Sequence, residues 1–192
     1  MDRLSEIRDE INSIDKKILY EIEKRIELTN EIGEIKAETF APVFVVEREA
    51  EIIAGLESGS TDILRGIVAP VFKTVMRLSR RNQYSSIYKK LENTSFAEQL
   101  SGAVSKVSEI DKGKKPCLEV EFRNHEEVNN FFNIVNDYGF YPLEFSLKDK
   151  SGLVCRSVID LVETKGDAEQ MLIKAMYQLC NEFQSVRLVG WV

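Results

Sequence analysis

The longest uninterrupted helical pattern in this 192-residue chain runs from about Arg3 to about Thr39. It contains no proline and only Gly33, and its apolar residues alternate steps of three and four, the spacing of a helix packed against another helix. At 1.5 Å per residue the helix is roughly 54 Å long. A domain of about 90 residues has a radius of gyration of only about 12 Å. The helix therefore extends beyond its own domain, which predicts a dimer in which a second copy of the chain covers the exposed stripe.

Two charged residues interrupt this apolar stripe, which we call the α1 stripe. Its apolar members are Leu4, Ile7, Ile11, Ile14, Ile18, Leu28, Ile32 and Ile35. Glu21 and Arg25 occupy the two remaining positions. A buried arginine without an anionic partner costs several kcal/mol. Arg25 therefore needs either Glu21, one turn earlier, or an anionic ligand.

Two more helices are predicted in the first half of the chain. Pro42 ends the first helix, because the residue before a proline is disfavoured in the α conformation. A second helix is expected over residues 47–56, and a third from residue 61 or 62 to about residue 90, where Pro70 should either kink the helix or separate a short first piece. We expect residues 1–92 to be an all-α domain of three helices, followed by a linker over 93–114 that could contain another helix.

Residues 115–192 have a different pattern, which predicts a second domain of the α+β class. Apolar residues alternate in four segments, as in half-buried strands, and two amphipathic helical segments lie between them. Gly139 follows the first of these helices, where glycine commonly ends a helix. The predicted order is β-α-β-β-α-β, which is the ferredoxin-like arrangement.

Composition argues against several classes of function. Residues 1–90 hold 15 Lys and Arg against 16 Asp and Glu, and residues 91–192 hold 11 against 16, so neither half has the basic excess of a nucleic-acid-binding domain. Three dispersed cysteines and the single histidine, His125, predict no metal site. The chain has neither a run of about 18 apolar residues nor an N-terminal leader pattern. We expect a cytoplasmic protein that contacts no membrane.

The spacing of the cationic residues predicts a ligand site shared between two chains. Arg25 and Lys36 are 11 residues apart, so they share one helix face. Arg8 precedes Arg25 by 17 residues, which places it about 25 Å away along the helix. One small ligand cannot contact both in one chain, but it could contact Arg25 of one chain and Arg8 of an antiparallel partner. Ser79 and Gln83, spaced i and i+4, face one way on the third helix.

Four segments together carry a family resemblance. They are LSEIRDEINSIDKKIL, EKRIELTNEIGEIK, the PV and REAEI strings, and SRRNQ. Over residues 1–90 the chain resembles the all-helical, dimeric chorismate mutases, which occur alone or fused to prephenate dehydratase. The resemblance implies an isomerase of the shikimate pathway that rearranges chorismate to prephenate in phenylalanine and tyrosine biosynthesis, with no metal or cofactor.

The resemblance also implies residue roles. Arg25 and, from the partner chain, Arg8 would bind the substrate carboxylates, with Arg48 nearby and Ser79 assisting. Lys36 and Gln83 would donate to the ether oxygen, and Glu49 would accept from the ring hydroxyl. The residues that the resemblance assigns to catalysis or to substrate binding are Arg8, Arg25, Lys36, Val45, Arg48, Glu49, Ser79 and Gln83.

Val45 marks a departure from the family pattern, because relatives often have aspartate there. Some members use that position through its backbone, so activity need not be lost. Two alternatives remain at this point. One is a lyase of isochorismate with the same fold, against which Glu49 argues, because such lyases lack that carboxylate. The other is a non-catalytic helical dimerisation or regulatory protein.

The second domain resembles an ACT regulatory domain in element order only. Dehydratase-linked ACT domains carry a Gly-Ala-Leu turn after the first strand and a Glu-Ser-Arg stretch near the second. The corresponding places hold residues 124–126, Asn-His-Glu, and residues 145–147, Phe-Ser-Leu. We therefore favour a structural or dimerising role over the binding of an aromatic amino acid.

Overall fold

A computed structural model describes residues 2–39, 41–91, 114–148, 153–160 and 168–192 of the chain. The chain divides into two compact units, Met1–Ser86 and Ile87–Val192. The predicted domain boundaries at residues 92 and 115 stay predictions. The helix considered for the linker, the hairpin turn at residues 149–152 and the end of the third predicted strand lie outside the described residues.

The first unit is built from the three predicted helices: α1 (Arg3–Thr39), α2 (Val46–Ser58) and α3 (Val68–Leu91). A short 3₁₀ turn, Asp62–Leu64, precedes α3, which confirms that the third helical segment is divided rather than kinked. Pro70 is the third residue of α3. A proline is tolerated there, because the first N–H groups of a helix have no intrahelical acceptor.

Helix α1 has two different faces in its C-terminal half. Its buried residues are small: Thr29, Gly33 and Ala37. A Cβ added at Gly33 would lie 3.1 Å from the Cα of Gln83, so α1 and α3 come close enough at this point that only glycine fits without displacement. The backbone of α1 therefore packs directly against α3 at Gly33.

The α1 stripe lies on the surface of the single chain. The exposed fractions of its apolar side chains range from 39% to 60%, although residues of this type are usually buried. No helix of the described ranges is both long enough and apolar enough to cross a membrane. The stripe is thus an extended apolar surface that the described part of the helical unit leaves uncovered.

The second unit has the predicted β-α-β-β-α-β order. Its elements are β1 (Pro116–Glu121), α4 (Glu126–Asp137), β2 (Tyr141–Leu147), β3 (Val154–Asp160), α5 (Ala168–Glu182) and β4 (Ser185–Trp191). The strands form one sheet in the order β2-β3-β1-β4, and every neighbouring pair is antiparallel. This arrangement confirms the predicted ferredoxin-like order.

One hydrophobic core holds the second unit together. Side chains from strand β1 pack with side chains from both helices. The fully buried members of this core include Leu118 of β1, Phe131 of α4 and Met176 of α5. Gly139 has a positive φ of 79° after α4, as predicted for a helix end. The alternating apolar residues of β2 are exposed instead.

Candidate active site

Arg25 joins α1 to α3. Its guanidinium donates a hydrogen bond to Oγ of Ser79, and this hydroxyl in turn donates to the carbonyl oxygen of Val75 at 2.8 Å. Glu21, the intrahelical partner considered above, pairs with Lys24 at 3.8 Å instead. Partial burial lowers the pKa of Arg25, and the nearby Glu49 carboxylate opposes that effect. Arg25 stays charged, since arginine is not deprotonated in proteins.

Lys36 lies three turns along the same face of α1. It is half-buried, and its Nζ donates to the carbonyl oxygen of Val43 at 3.0 Å, in the connection between α1 and α2. Burial lowers the pKa of the Lys36 ammonium, and Glu49 again acts in the opposite direction. One backbone acceptor uses one of the three N–H donors of the ammonium, so Lys36 keeps donors for a ligand.

Glu49 lies in the first turn of α2. Its backbone N–H donates to the carbonyl oxygen of Val45 at 3.2 Å, so Val45 takes part in the first turn of the helix through its backbone. Oε1 of Glu49 accepts a hydrogen bond from Arg80 of α3. The same guanidinium lies over the ring of Phe44, 4.3 Å from the centroid.

Gln83 is one of the few buried polar residues of the helical unit, with 6% of its surface exposed. Its Oε1 has no hydrogen-bond partner among the residues that the structure describes. Buried amide oxygens are usually hydrogen-bonded, so a buried one without a partner is characteristic of a ligand site or of strain. The close contact with Gly33 places this amide beside α1, one turn from Lys36.

The structure brings together five of the eight residues identified from sequence. They are Arg25, Lys36, Glu49, Ser79 and Gln83, linked by the Arg25–Ser79 hydrogen bond, the electrostatic influence of Glu49 on both cations and the Gly33–Gln83 contact. Three helices contribute to the group. We call these five residues the helical-unit cluster.

The other three residues lie apart from the cluster or contribute differently. Arg8 is exposed on the N-terminal half of α1, at the distance of about 25 Å from Arg25 that the helix geometry implies. Arg48 is exposed and donates to Glu51 at 3.3 Å. The side chain of Val45 is exposed, with 36% of its surface accessible. Its carbonyl oxygen accepts the hydrogen bond from the backbone N–H of Glu49.

Sequence reasoning missed Arg80, which is only 5% exposed. It follows Ser79 directly and precedes Gln83 by three residues, so helical spacing alone places it close to the cluster. That signal was available in the SRRNQ string. It was obscured because a pair of neighbouring arginines on a helix usually indicates a solvated surface.

The cluster has the chemistry of an electrostatic binding site. Arg25 and Lys36 are fixed by the fold and have no direct ion pair among the described residues, whereas Glu49 is paired with Arg80. Preorganised donors of this kind stabilise negative charge in a partly desolvated site. The arrangement suits a small anionic ligand that also carries a hydroxyl donor for the carboxylate.

Comparison with known proteins places the helical unit in a family. Residues 7–84 match the sequence profile described as chorismate mutase type II. The chain is 35% identical to the T-protein of Enterobacter agglomerans over 83 aligned residues. These residues are 43% of this chain and 22% of that protein. For the T-protein of Haemophilus influenzae the identity is 29% over 85 residues, with the same two shares.

A third relative is the bifunctional chorismate mutase/prephenate dehydratase of Aquifex aeolicus, 37% identical over 67 residues, which is 35% of this chain and 18% of that protein. The chain thus spans about a fifth of the length of these curated relatives. No solved structure matches. All three matches have the extent of a single helical unit, and residues 7–84 therefore form a helical domain of the chorismate mutase type II family, a family of isomerases.

Proposed function

We propose that this chain is a chorismate mutase, which rearranges chorismate to prephenate in aromatic amino-acid biosynthesis in the cytoplasm. The observation that carries the proposal is the helical-unit cluster, in which two fixed cations, a carboxylate, a hydroxyl and a buried amide come together from three helices. These are the residue types that the resemblance assigns to this reaction, at the matching positions.

The charge of the cluster supports a dianionic substrate. Arg80 and Glu49 form an ion pair, so their charges offset each other. Arg25 and Lys36 then remain as two positive charges, and chorismate carries two carboxylates. Arg25 would hold one carboxylate, positioned by its hydrogen bond to Ser79, since an arginine hydrogen-bonded to a hydroxyl still has other N–H donors.

The reaction that we propose needs positioning and electrostatic stabilisation rather than proton transfer. Chorismate rearranges within one molecule through a compact, chair-like conformer, and negative charge develops on the breaking ether oxygen. Lys36 and the amide of Gln83 would donate to that oxygen, while Glu49 accepts from the ring hydroxyl. Donors aimed at charge that appears only in the transition state increase kcat, typically by 100-fold or more per donor.

A homodimer would complete the site. The exposed α1 stripe supports association of two chains, because a long exposed apolar surface on a helix is typical of a protein contact. In an antiparallel pair, the N-terminal half of one α1 lies beside the C-terminal half of the other. Arg8 of one chain could then reach the second substrate carboxylate beside Arg25 of its partner.

Arg48 and Val45 take secondary roles in this proposal. Arg48 is exposed, and within the described ranges its side chain pairs only with Glu51, an interaction that is weak in water. Its side chain is therefore available to approach a substrate carboxylate. The backbone of Val45 supports the first turn of α2 and thereby Glu49.

For the second unit we propose an ACT-like domain with a structural or dimerising role. Its ferredoxin-like sheet supports that assignment. The absence from the sequence of the Gly-Ala-Leu and Glu-Ser-Arg stretches argues against recognition of an aromatic amino acid. Every residue assigned to the chemistry precedes residue 91.

Incubation of the purified protein with chorismate, and separately with isochorismate, tests the proposed function. We expect conversion of chorismate to prephenate above the uncatalysed rate, identified by mass spectrometry, and the same rate in EDTA. Release of pyruvate from isochorismate without turnover of chorismate would instead identify the lyase. Turnover of neither substrate would favour a helical dimerisation protein and contradict the proposal.

A further inference from the structure

Among the residues that the structure describes, Arg80 is a buried cation whose role the proposed chemistry does not yet include. It lies on α3, between Ser79 and Gln83, and only 5% of its surface is exposed. Arginine is almost never this buried unless it is paired. Exposed arginines keep a protein surface soluble, but a buried arginine does not. The burial of Arg80 therefore needs another explanation.

Arg80 connects three segments of the helical unit. From α3 it donates to Oε1 of Glu49 in α2, and its guanidinium carbon lies 4.3 Å from the ring centroid of Phe44 in the α1–α2 connection. A planar guanidinium can stack on a ring and donate in its own plane at the same time, which a lysine ammonium cannot do. Arg80 thus restrains both the connection and the start of α2.

The contact with Arg80 makes the two oxygens of Glu49 different. Oε1 is held by the guanidinium, whereas Oε2 has no hydrogen-bond donor in the part of the chain that the structure describes. An ionised carboxylate can accept on both oxygens. Restraint of one oxygen orients the carboxylate and leaves the other as the acceptor for a ligand.

The ion pair also preserves the positive charge of the cluster. Glu49 influences both Arg25 and Lys36 electrostatically. Without Arg80, direct pairing of Glu49 with either of these cations would remove a donor from the substrate. Arg80 offsets the carboxylate from the side of α3 instead.

We propose that Arg80 is a positioning residue, which orients Glu49 and thereby gives the site its preference for a ligand with a ring hydroxyl. This inference rests on the proposed function, because it concerns how the same site recognises its substrate. It goes beyond that function by assigning the preference to an arginine that does not itself touch the hydroxyl.

The test measures binding of two bicyclic ether dicarboxylates that mimic the chair-like conformer, one with the ring hydroxyl and one without it. In the wild type the hydroxylated compound should bind more tightly, since a site built to hydrogen-bond a hydroxyl discriminates against its absence. The ratio measured is the dissociation constant of the compound without the hydroxyl divided by that of the hydroxylated compound. Arg80→Met should reduce this ratio by about tenfold. Arg81→Met removes the neighbouring arginine of the same helix and should leave the ratio unchanged.

A double-mutant cycle separates positioning from a merely structural role. Glu49→Gln should also reduce the ratio, and Arg80→Met should reduce it little further in the Glu49→Gln background, because residues that act through one another are not additive. A role in stability alone would lower the melting temperature without changing the ratio. A ratio that Arg80→Met leaves at the wild-type value, in folded protein, overturns the inference.

Two further results remain decisive. If Arg80→Met does not fold, Arg80→Gln, which keeps a donor without the charge, is measured on the same ratio. Failure of both variants to fold would make Arg80 a stability residue and overturn the inference. If the wild type neither binds the hydroxylated compound nor turns over chorismate, the proposed function itself fails, whereas an unchanged ratio in an active variant overturns only the role of Arg80.

Discussion

Lys36 is a cation whose charge the fold disfavours and the proposed reaction requires. Its pKa is lowered by burial, and Glu49 partly restores the charged form. Its hydrogen bond to the carbonyl oxygen of Val43, 3.0 Å long, holds the ammonium at the α1–α2 connection. The properties of this residue therefore depend on a carboxylate from another helix, which leads to two predictions at the scale of single residues.

Lys36→Ala should lower kcat on chorismate by about 100-fold or more, because a donor to the ether oxygen acts mainly in the transition state. Steady-state kinetics on the purified variants measure this effect. Lys16→Ala is the matched control, since Lys16 is an exposed lysine of the same helix. Equal effects of the two substitutions would exclude Lys36 from the site.

Activity should decline as the pH rises through the lowered pKa of Lys36, because only the charged form donates to the ether oxygen. A bound dianion stabilises that charge, so the alkaline decline of kcat should occur at a higher pH than that of kcat/KM. Glu49→Gln removes the carboxylate that raises the pKa of Lys36. It should therefore move the decline of kcat/KM to lower pH, and an unchanged profile would contradict this coupling.

Helix α1 combines two interfaces in one element. Small residues, Thr29, Gly33 and Ala37, face its own chain, and the α1 stripe faces outward. The first interface positions Gln83 and the second is the surface proposed for the partner chain. Because one helix carries both faces, the heptad spacing of the α1 stripe and the site residue Arg25 occur in the same segment.

Gly33→Ala should lower both stability and kcat, although alanine favours a helix by about 1 kcal/mol over glycine. The added Cβ would lie 3.1 Å from the Cα of Gln83, so the two backbones must separate and the amide must shift. The matched control is Gly55→Ala in α2, where an added Cβ meets no atom within 4 Å.

Thermal unfolding should therefore show opposite signs at these two glycines. Gly55→Ala should stabilise the protein by up to about 1 kcal/mol, the intrinsic gain of helix propensity. If Gly33→Ala were as stable and active as the wild type, the close contact between α1 and α3 would not be important for the site.

The helices could largely be predicted from the sequence, because heptad spacing depends on the chain locally. Helical offsets placed Arg25 with Lys36 and Ser79 with Gln83, whereas the grouping of all five residues was implied by the family resemblance. Helical spacing places Arg80, and not Arg81, one turn before Gln83, but the burial of Arg80 depends on tertiary packing. The exposure of the apolar residues on β2 could not be predicted from the sequence either. Their alternation predicts one shared face, but alternation alone does not determine whether another element covers that face.

At the scale of the whole molecule, each unit has its own packing. The second unit encloses a hydrophobic core between its sheet and two helices, and the proposed catalytic residues all belong to the first. A chain that ends at residue 92 should therefore retain kcat within a few-fold of the full-length protein. Loss of all activity in a folded, shortened chain would assign the second unit a part in the site.

The central claim is that two copies of the chain together form a site that rearranges chorismate, and mixing two inactive variants tests it most directly. Arg8→Ala and Arg25→Ala should each be nearly inactive alone. After subunit exchange, half of the dimers are mixed, and each mixed dimer has one intact site of two, so about a quarter of wild-type turnover should return. No recovery, with exchange verified by mass spectrometry, would contradict the shared site.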